Sequence, residues 1–461
     1  MGATNMIIKR LEIKHLYGMY NYNVKFNDDL TFIYGENGCG KTTILDIVSS
    51  IVTGRLYKLF IYKFDEIILT YRETKGKYLR KFKIKAQNEA YELSLNMTNN
   101  LPPKQEIIKD IRRLGEMYSR EDDDYSFEPR FMNMFEFPRF LKDTFNYIYL
   151  PLSRNSQDGI NIVDNVYFKR RMRYSEKDIV NKNYLNDSLR YVEEIIRSSC
   201  MKISSSENLI NSKFRSNILT SSLKVRNEYS LRRLLNSDNN TLSNIDQSQK
   251  EYIKTLRSIG EWNDDTNRRV ETFFDKYRAA FIRAQQEDGK GHPGYITVDF
   301  LLMNMEFNRI KEIASQAQEI EREKKEIRAP ITAFLETVNS FFEMGEDKKQ
   351  ISISDEGKIV VETDSFHREL SLYNLSSGEK QIVIIFACLI FGLPVGQSGI
   401  YIIDEPEASL HLAWQRNFVE SIQKVNGDIQ LIFATHAPEI IGHYSDHTVK
   451  LKKTIIPLIE R

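Results

Sequence analysis

The stretch Gly35-Glu36-Asn37-Gly38-Cys39-Gly40-Lys41-Thr42 constrains this chain more than any other part of it. It fits G-x-x-x-x-G-K-[ST] and has the context that gives the pattern meaning. Residues 30–34 form a short apolar run of strand character, and residues 42–52 have helical spacing. Glycine lets backbone N–H groups curl around phosphate oxygens without Cβ clashes, and the helix start adds a favourable dipole. A glycine-rich turn before an ordinary helix is the bland alternative, and the strand–loop–helix context speaks against it. Asn37, Gly38, Cys39, Gly40, Lys41, Thr42 and Thr43 are therefore candidate phosphate-binding residues. Lys41 is placed to reach β- and γ-phosphates, and the Thr42 hydroxyl to bind Mg²⁺.

The surrounding pattern predicts an α/β body at both ends of the chain. Residues 6–16 alternate as a strand, and residues 23–26 follow as a second one. Segments near 60–72, 77–86 and 89–97 read as an antiparallel meander, and 145–151 as an apolar strand stopped by proline. Residues 165–345 differ, with few glycines, many charges and helical periodicity near 185–201, 250–259, 268–286 and 307–344. Clean heptads do not persist, so a helical bundle or short coiled coil is expected rather than a long one. Residues 204–244, rich in Ser and Asn, are expected to contain a loop. The β pattern returns at 351–354 and 358–362. A helix from Glu379, a strand at 400–403, a helix from His411 and a strand at 430–434 complete it. The expected domains are thus 1–164 and 346–461, two halves of one body, and 165–345, a helical insertion between them.

The second half carries its own chemistry. Residues 401–405 are an apolar strand ending in Asp404 and Glu405. Asp404 fits a magnesium ligand and Glu405 the base that polarises an attacking water. Upstream, Leu375-Ser376-Ser377-Gly378-Glu379-Lys380-Gln381 opens the long apolar helix. Alone it would read as a capping box; in this order it resembles the ABC signature LSGGQ, with Ser377 where the first glycine usually sits. Ser376, Ser377, Gly378 and Glu379 are its nucleotide-binding candidates. Residues 407–411 look like a D-loop, and Thr435-His436-Ala437-Pro438 looks like the switch histidine that contacts γ-phosphate. Lys41, Glu405 and His436 are the catalytic candidates. Gln157, with Arg154 nearby, is the candidate Q-loop residue and third metal ligand beside Thr42 and Asp404.

With these residues in view, the chain resembles ABC-type ATPases of the SMC- and RecF-related branch. The opening Ile8-Lys9-Arg10-Leu11-Glu12-Ile13-Lys14-His15-Leu16 fits that branch, and the run from Asp404 to His411, D-E-P-E-x-x-L-H, is typical of the overcoming-lysogeny-defect-like group. The matching motifs cover roughly 50 residues. The resemblance implies an ATPase head made by both chain ends, using ATP and Mg²⁺. It also implies a composite site in which Ser377 and Gly378 of one copy complete the P-loop, Asp404, Glu405 and His436 of another, hence at least a homodimer. About 335 residues separate Lys41 from Gly378. Only about 25 residues follow His436, so no C-terminal TOPRIM domain is expected. The resemblance extends to the ATPase subunits of the PARIS and Septu anti-phage systems, with PARIS favoured by length and insertion. It implies a sensor and scaffold that holds a separately encoded nuclease, TOPRIM type in the first case and HNH in the second, until a phage trigger protein releases it.

Composition bounds the alternatives. There are 65 basic and 64 acidic residues, net +1, which argues against a polycationic coat but not against a local basic patch. A DNA-gripping repair ATPase is the competing expectation, supported by Lys169-Arg170-Arg171-Met172-Arg173 and the basic N-terminal strands; a solvated helix face is the plainer reading of that cluster. The acidic run Glu121-Asp122-Asp123-Asp124 reads as a solvated loop. Cys39, Cys200 and Cys388 are far apart and lack metal-ligand spacing, the N-terminus lacks an apolar leader, and the longest apolar run is too short to span a bilayer. A cytoplasmic chain without a membrane partner is expected.

Overall fold

The structure, a computed structural model, describes residues 6–87, 90–96, 104–120, 124–151, 184–222, 242–258, 262–288, 298–345, 348–354, 356–363, 370–393 and 399–455. The chain opens with β1 (Met6–Leu16), β2 (Tyr20–Lys25) and β3 (Leu30–Tyr34), then α1 (Lys41–Val52). Next come β4 (Glu66–Glu73), β5 (Arg80–Gln87), β6 (Ala90–Asn96) and β7 (Lys104–Ile108). Helices α2 (Ile111–Arg120), α3 (Asp124–Met134) and α4 (Glu136–Thr144) lead to β8 (Tyr147–Pro151). Among the described residues four long helices follow: α5 (Tyr184–Ser222), α6 (Leu242–Ser258), α7 (Asp264–Asp288) and α8 (Val298–Glu343). The rest is β9 (Lys349–Ile353), β10 (Ile359–Thr363), α9 (Ser377–Phe391), β11 (Ile400–Asp404), α10 (Leu412–Val425), β12 (Gln430–Ala434), α11 (Pro438–Ile441), β13 (Thr448–Lys450) and β14 (Thr454–Ile455).

Two large sheets organise the body, beside an antiparallel β9–β10 pair. An antiparallel sheet has the order β14-β2-β1-β4-β5-β6-β7. Its strands alternate as their sequences do: in β5, Phe82 and Ile84 are buried while Lys81 and Lys85 are exposed. A parallel sheet has the order β13-β3-β12-β11-β8. All five residues of β11 are buried, as expected for a parallel strand covered on both faces. Ile400 and Ile402 pack in one core with Ile44 and Val48 of α1 and with the antiparallel sheet. Tyr401 and Ile403 pack in a second core with Ile382, Ile385 and Phe386 of α9 and Phe418 of α10. This explains why α9 is apolar all round.

The sheets are stitched by Gln430, which is 1% exposed. Its side-chain oxygen accepts from the Ile8 N–H at 2.8 Å, and its amide donates to the Ile8 and Asn27 carbonyls at 2.7 and 2.6 Å. Few apolar side chains could stand there without stranding buried backbone groups.

Two expectations change. Residues 60–65 do not join the meander, because Leu56–Ile61 forms a 3-10 turn that buries Leu56, Tyr57 and Leu59 before β4 begins. The Ser- and Asn-rich stretch from 204 is helical through Ser222, where Ile210 and Phe214 repeat at helical spacing and are both buried; residues 223–241 lie outside the described part.

The chain divides into two compact units, Met1–Cys200 with Pro330–Arg461, and Met201–Ala329. The second unit has its own core of Ile245, Val270, Phe274, Tyr277 and Phe307. Tyr277 stacks on Phe307 with ring centroids 4.5 Å apart, and its hydroxyl donates to Asn304 Oδ1 at 2.9 Å. Pro330, which opens the last segment of the first unit, lies inside α8. Among the described residues no helix is long and apolar enough to cross a membrane.

Gln430→Leu is expected to destabilise the protein by about 3 kcal/mol, since two buried backbone groups of Ile8 and the half-buried Asn27 carbonyl lose their partner. Thermal unfolding reads this as a midpoint lowered by roughly 3–5 °C. An unchanged midpoint would mean the sheet contact does not depend on that amide.

Candidate active site

The parallel sheet brings the separated motifs together. Strand β12 lies between β3 and β11, with Ala434 in register with Ile33 on one side and Asp404 on the other. The P-loop leaves the end of β3, Glu405 follows β11, and Thr435 and His436 follow β12. All three turns therefore issue from the carboxyl ends of adjacent strands, where α/β sheets place their ligands. β8 ends in the same register, Pro151 beside Asp404. Gln157 and Arg154, expected just beyond it, lie outside the described residues, as do residues 121–123 and Lys169 to Arg173.

In the loop, Gly38 and Gly40 have φ of 73° and 99°, which a Cβ disfavours. At Gly40 a Cβ would also stand 2.9 Å from the Tyr22 hydroxyl. That hydroxyl donates to the Cys39 carbonyl at 3.1 Å and pins the loop to β2, and burial pushes its pKa up to about 12. Gly40 is the N-cap of α1 and brings no side-chain oxygen, so no side-chain cap bonds the first-turn N–H groups, the arrangement that suits an anion at a helix start. Lys41 is buried and donates to the Gly35 carbonyl at 2.9 Å. Asn37 and Gly38 are exposed, Thr42 is exposed, and Thr43 is half-buried.

Asp404 is 1% exposed. Burial pushes its carboxyl up to about 7; the Thr42 hydroxyl bond opposes the rise, and the charges of Glu405, Asp46 and Glu407 add to it. Its Oδ1 has no hydrogen-bond partner. A buried carboxylate oxygen left unpaired beside a threonine hydroxyl fits a divalent cation, which would supply the missing positive charge. Among the described residues no group of three His, Cys, Asp or Glu side chains could chelate an ion alone. The donor set suits Mg²⁺, which keeps waters and takes substrate phosphates as ligands.

Glu405 has φ 50°, a left-handed conformation rare outside glycine, and its N–H donates to the Ala434 carbonyl at 2.9 Å. Holding it there costs on the order of 1 kcal/mol. The next turn, Pro406–Ser409, carries Glu407, whose Oε1 accepts from the Thr435 hydroxyl at 2.8 Å and the His436 N–H at 2.9 Å. His436 Nδ1 stands 3.4 Å from the same oxygen, with the imidazole 47% exposed.

Ser376, Ser377 and Gly378 sit on a different element, the start of α9. Ser376 and Glu379 form a capping box, and Glu379 is further bound by Lys349 at 2.8 Å, so its carboxylate is engaged within the chain. Ser376 and Ser377 are exposed. Gly378 is buried against the Ser409 carbonyl, which a Cβ would meet at 2.4 Å.

One neighbour, Asp46, was not singled out by the sequence, nor was the role of another, Glu407. Asp46 accepts from the Tyr149 hydroxyl at 2.9 Å, tying α1 to β8. Its position four residues after Thr42 places both on one helix face, a signal available in the sequence. Glu407 was visible in the D-E-P-E run, but its grip on the β12 turn required the sheet.

A glycine loop opening a helix, two carboxylates at the next-but-one strand end and a histidine between them define a P-loop ATPase. The chain belongs to the AAA ATPase domain family, whose model matches residues 6–441. It is 20% identical over 444 residues to the Retron Vc95 probable ATPase of Vibrio cholerae serotype O1 biovar El Tor, covering 91% of this chain and 68% of that one. It is 31% identical over 99 residues to the Retron Ec83 probable ATPase of Escherichia coli, 20% of this chain and 18% of that one. Among solved structures it is similar to the Smc head domain with an extended coiled coil bound to the C-terminal domain of ScpA from Pyrococcus furiosus, at TM-score 0.40, 13% identity and 98% and 96% coverage of the two chains. The Smc head domain with a coiled coil and joint from Pyrococcus yayanosii gives 0.36, 14%, 98% and 97%.

The raised Asp404 has a consequence for stability. Between pH 4 and 7 the folded state binds more protons than the unfolded one, so this group makes stability fall as pH rises through that window. Asp404→Asn is therefore expected to raise the unfolding midpoint at pH 8 in metal-free buffer, by an increment worth on the order of 1–3 kcal/mol, with the gap closing towards pH 4. A variant no more stable than wild type at pH 8 would show the carboxylate to be well solvated.

Proposed function

We propose that this chain is the ATP-hydrolysing sensor and scaffold of an anti-phage defence complex. The observation that carries the hydrolytic part is the paired strand end: Asp404, buried with an unpartnered oxygen beside Thr42, and Glu405, held in a strained turn beside the β12 end. In this reading Lys41 leaves the Gly35 carbonyl to bind β- and γ-phosphate oxygens, and the loop N–H groups of Asn37 to Thr43 cradle the phosphates. Thr42 and Asp404 would hold Mg²⁺, which when bound neutralises charge on the phosphates. Glu405 orients the attacking water as base, and His436 contacts the γ-phosphate. Ser376, Ser377 and Gly378 of a second copy close the site, which accounts for two exposed serines at the start of an otherwise buried helix.

The defence assignment is supported by the D-E-P-E-x-x-L-H motif and by relatives whose names place them as ATPases of retrons. The chain would act with separately encoded parts: a toxic nuclease, TOPRIM type in a PARIS-like system, held until a phage protein triggers its release. A cytoplasmic homo-oligomer follows from the same reading.

Two measurements test it. Glu405→Gln should lower kcat by about a hundredfold or more while leaving ATP bound and the oligomer stabilised, whereas Lys41→Ala should abolish nucleotide binding; unchanged turnover in Glu405→Gln refutes the base. Native mass of the tagged chain, co-expressed with its genomic neighbours with and without ATP, should reveal a large ATP-stabilised particle containing a second protein. A bare monomer or dimer that grips plain duplex DNA with steep salt dependence would favour a repair-type clamp instead.

A further inference from the structure

Glu407 is more constrained than a loop carboxylate three residues beyond a strand needs to be. Its side chain is 8% exposed. One oxygen takes two neutral donors, the Thr435 hydroxyl and the His436 N–H, and the His436 ring nitrogen Nδ1 stands 3.4 Å from that same oxygen. The other oxygen, Oε2, is buried without a partner. A buried carboxylate draws whatever cationic or N–H donor lies in reach. The cationisable group within reach is the His436 imidazole, 47% exposed, while the charge of Asp404 nearby is of the same sign as that of Glu407.

We propose that Glu407 is the positioning residue of His436: it accepts the Nδ1–H and so turns the opposite ring nitrogen, Nε2, towards a γ-phosphate oxygen of the nucleotide. The inference rests on the reading of His436 as a γ-phosphate contact. It uses the general rule that the partner of one ring nitrogen sets the tautomer and aim of the other. The turn carrying Glu407 is itself fixed, because the Ser409 carbonyl is seated against Gly378 so closely that any Cβ there would collide with it. The start of α9, Ser409, Glu407 and His436 therefore form one contiguous line of contacts within a single chain.

The test uses the full-length protein. Glu407→Gln keeps an oxygen to accept from Thr435 and the His436 N–H but removes the charge facing Nδ1. It is expected to lower kcat roughly ten- to hundredfold with the KM for ATP within about twofold. His436→Gln should lose at least as much, and the double variant should be no slower than His436→Gln alone, because the two residues act as one unit. Additive losses, or wild-type kcat in Glu407→Gln while His436→Gln is slow, overturn the proposal alone. Wild-type kcat in His436→Gln overturns the reading beneath it as well. A measurement independent of the variant's folding is the ¹⁵N spectrum of histidine-labelled wild-type protein, with His436 assigned by its loss in His436→Gln. Nδ1 should resonate as a protonated nitrogen; a bare Nδ1 with protonated Nε2 excludes Glu407 as its acceptor.

Discussion

The site depends on one register. Strand β12 is hydrogen-bonded between β3 and β11, so that Ile33, Ala434 and Asp404 end side by side although they come from opposite ends of the chain. Shifting either pairing by one residue would turn every inward side chain to the opposite face and carry the terminal carboxylates away from the loop. The register is held from both faces, by α1 and the antiparallel sheet on one side and by α9 and α10 on the other. It is anchored at the far end by Gln430, the first residue of β12, whose amide ties it to β1 and to the residue that leads into β3.

Such an arrangement tolerates a long interruption. Closure entropy grows only slowly with loop length, about 0.6 kcal/mol per doubling. Residues 201–329 also form a unit with an aromatic core of their own, so the excursion is not a flexible loop in the entropic sense. The two halves of the body can then find each other through the parallel sheet.

Function sits where the structure departs from its stability optimum. Asp404 is buried with an unpaired oxygen, Glu405 adopts a left-handed backbone, and Glu407 keeps a buried oxygen unpaired. Each costs folding free energy, and the two unpaired carboxylate oxygens would be satisfied by positive charge or N–H donors at the strand ends. Accumulated negative charge from Asp46, Asp404, Glu405 and Glu407 suits a site that works with a cation and a basic P-loop lysine.

Much of this was legible from the residues alone. The glycine loop, the apolar strand ending in two acids and the alternation of β1, β5 and β6 are local patterns, and local patterns survive without tertiary information. Sequence also marked the helical middle, although the helicity of residues 204–222 was obscured by Ser and Asn and became evident only where Ile210 and Phe214 are buried at helical spacing. What only the tertiary structure decided is adjacency. The grip of Glu407 on Thr435 and His436, the bond between Tyr149 and Asp46 across 103 positions, and the seating of Gly378 on Ser409 all join elements whose separation along the chain carries no signal. The physical reason is that hydrogen bonds and close contacts are set by strand order and helix packing. Those are properties of the assembled sheet, whereas the chemistry of each motif is a property of a few consecutive residues.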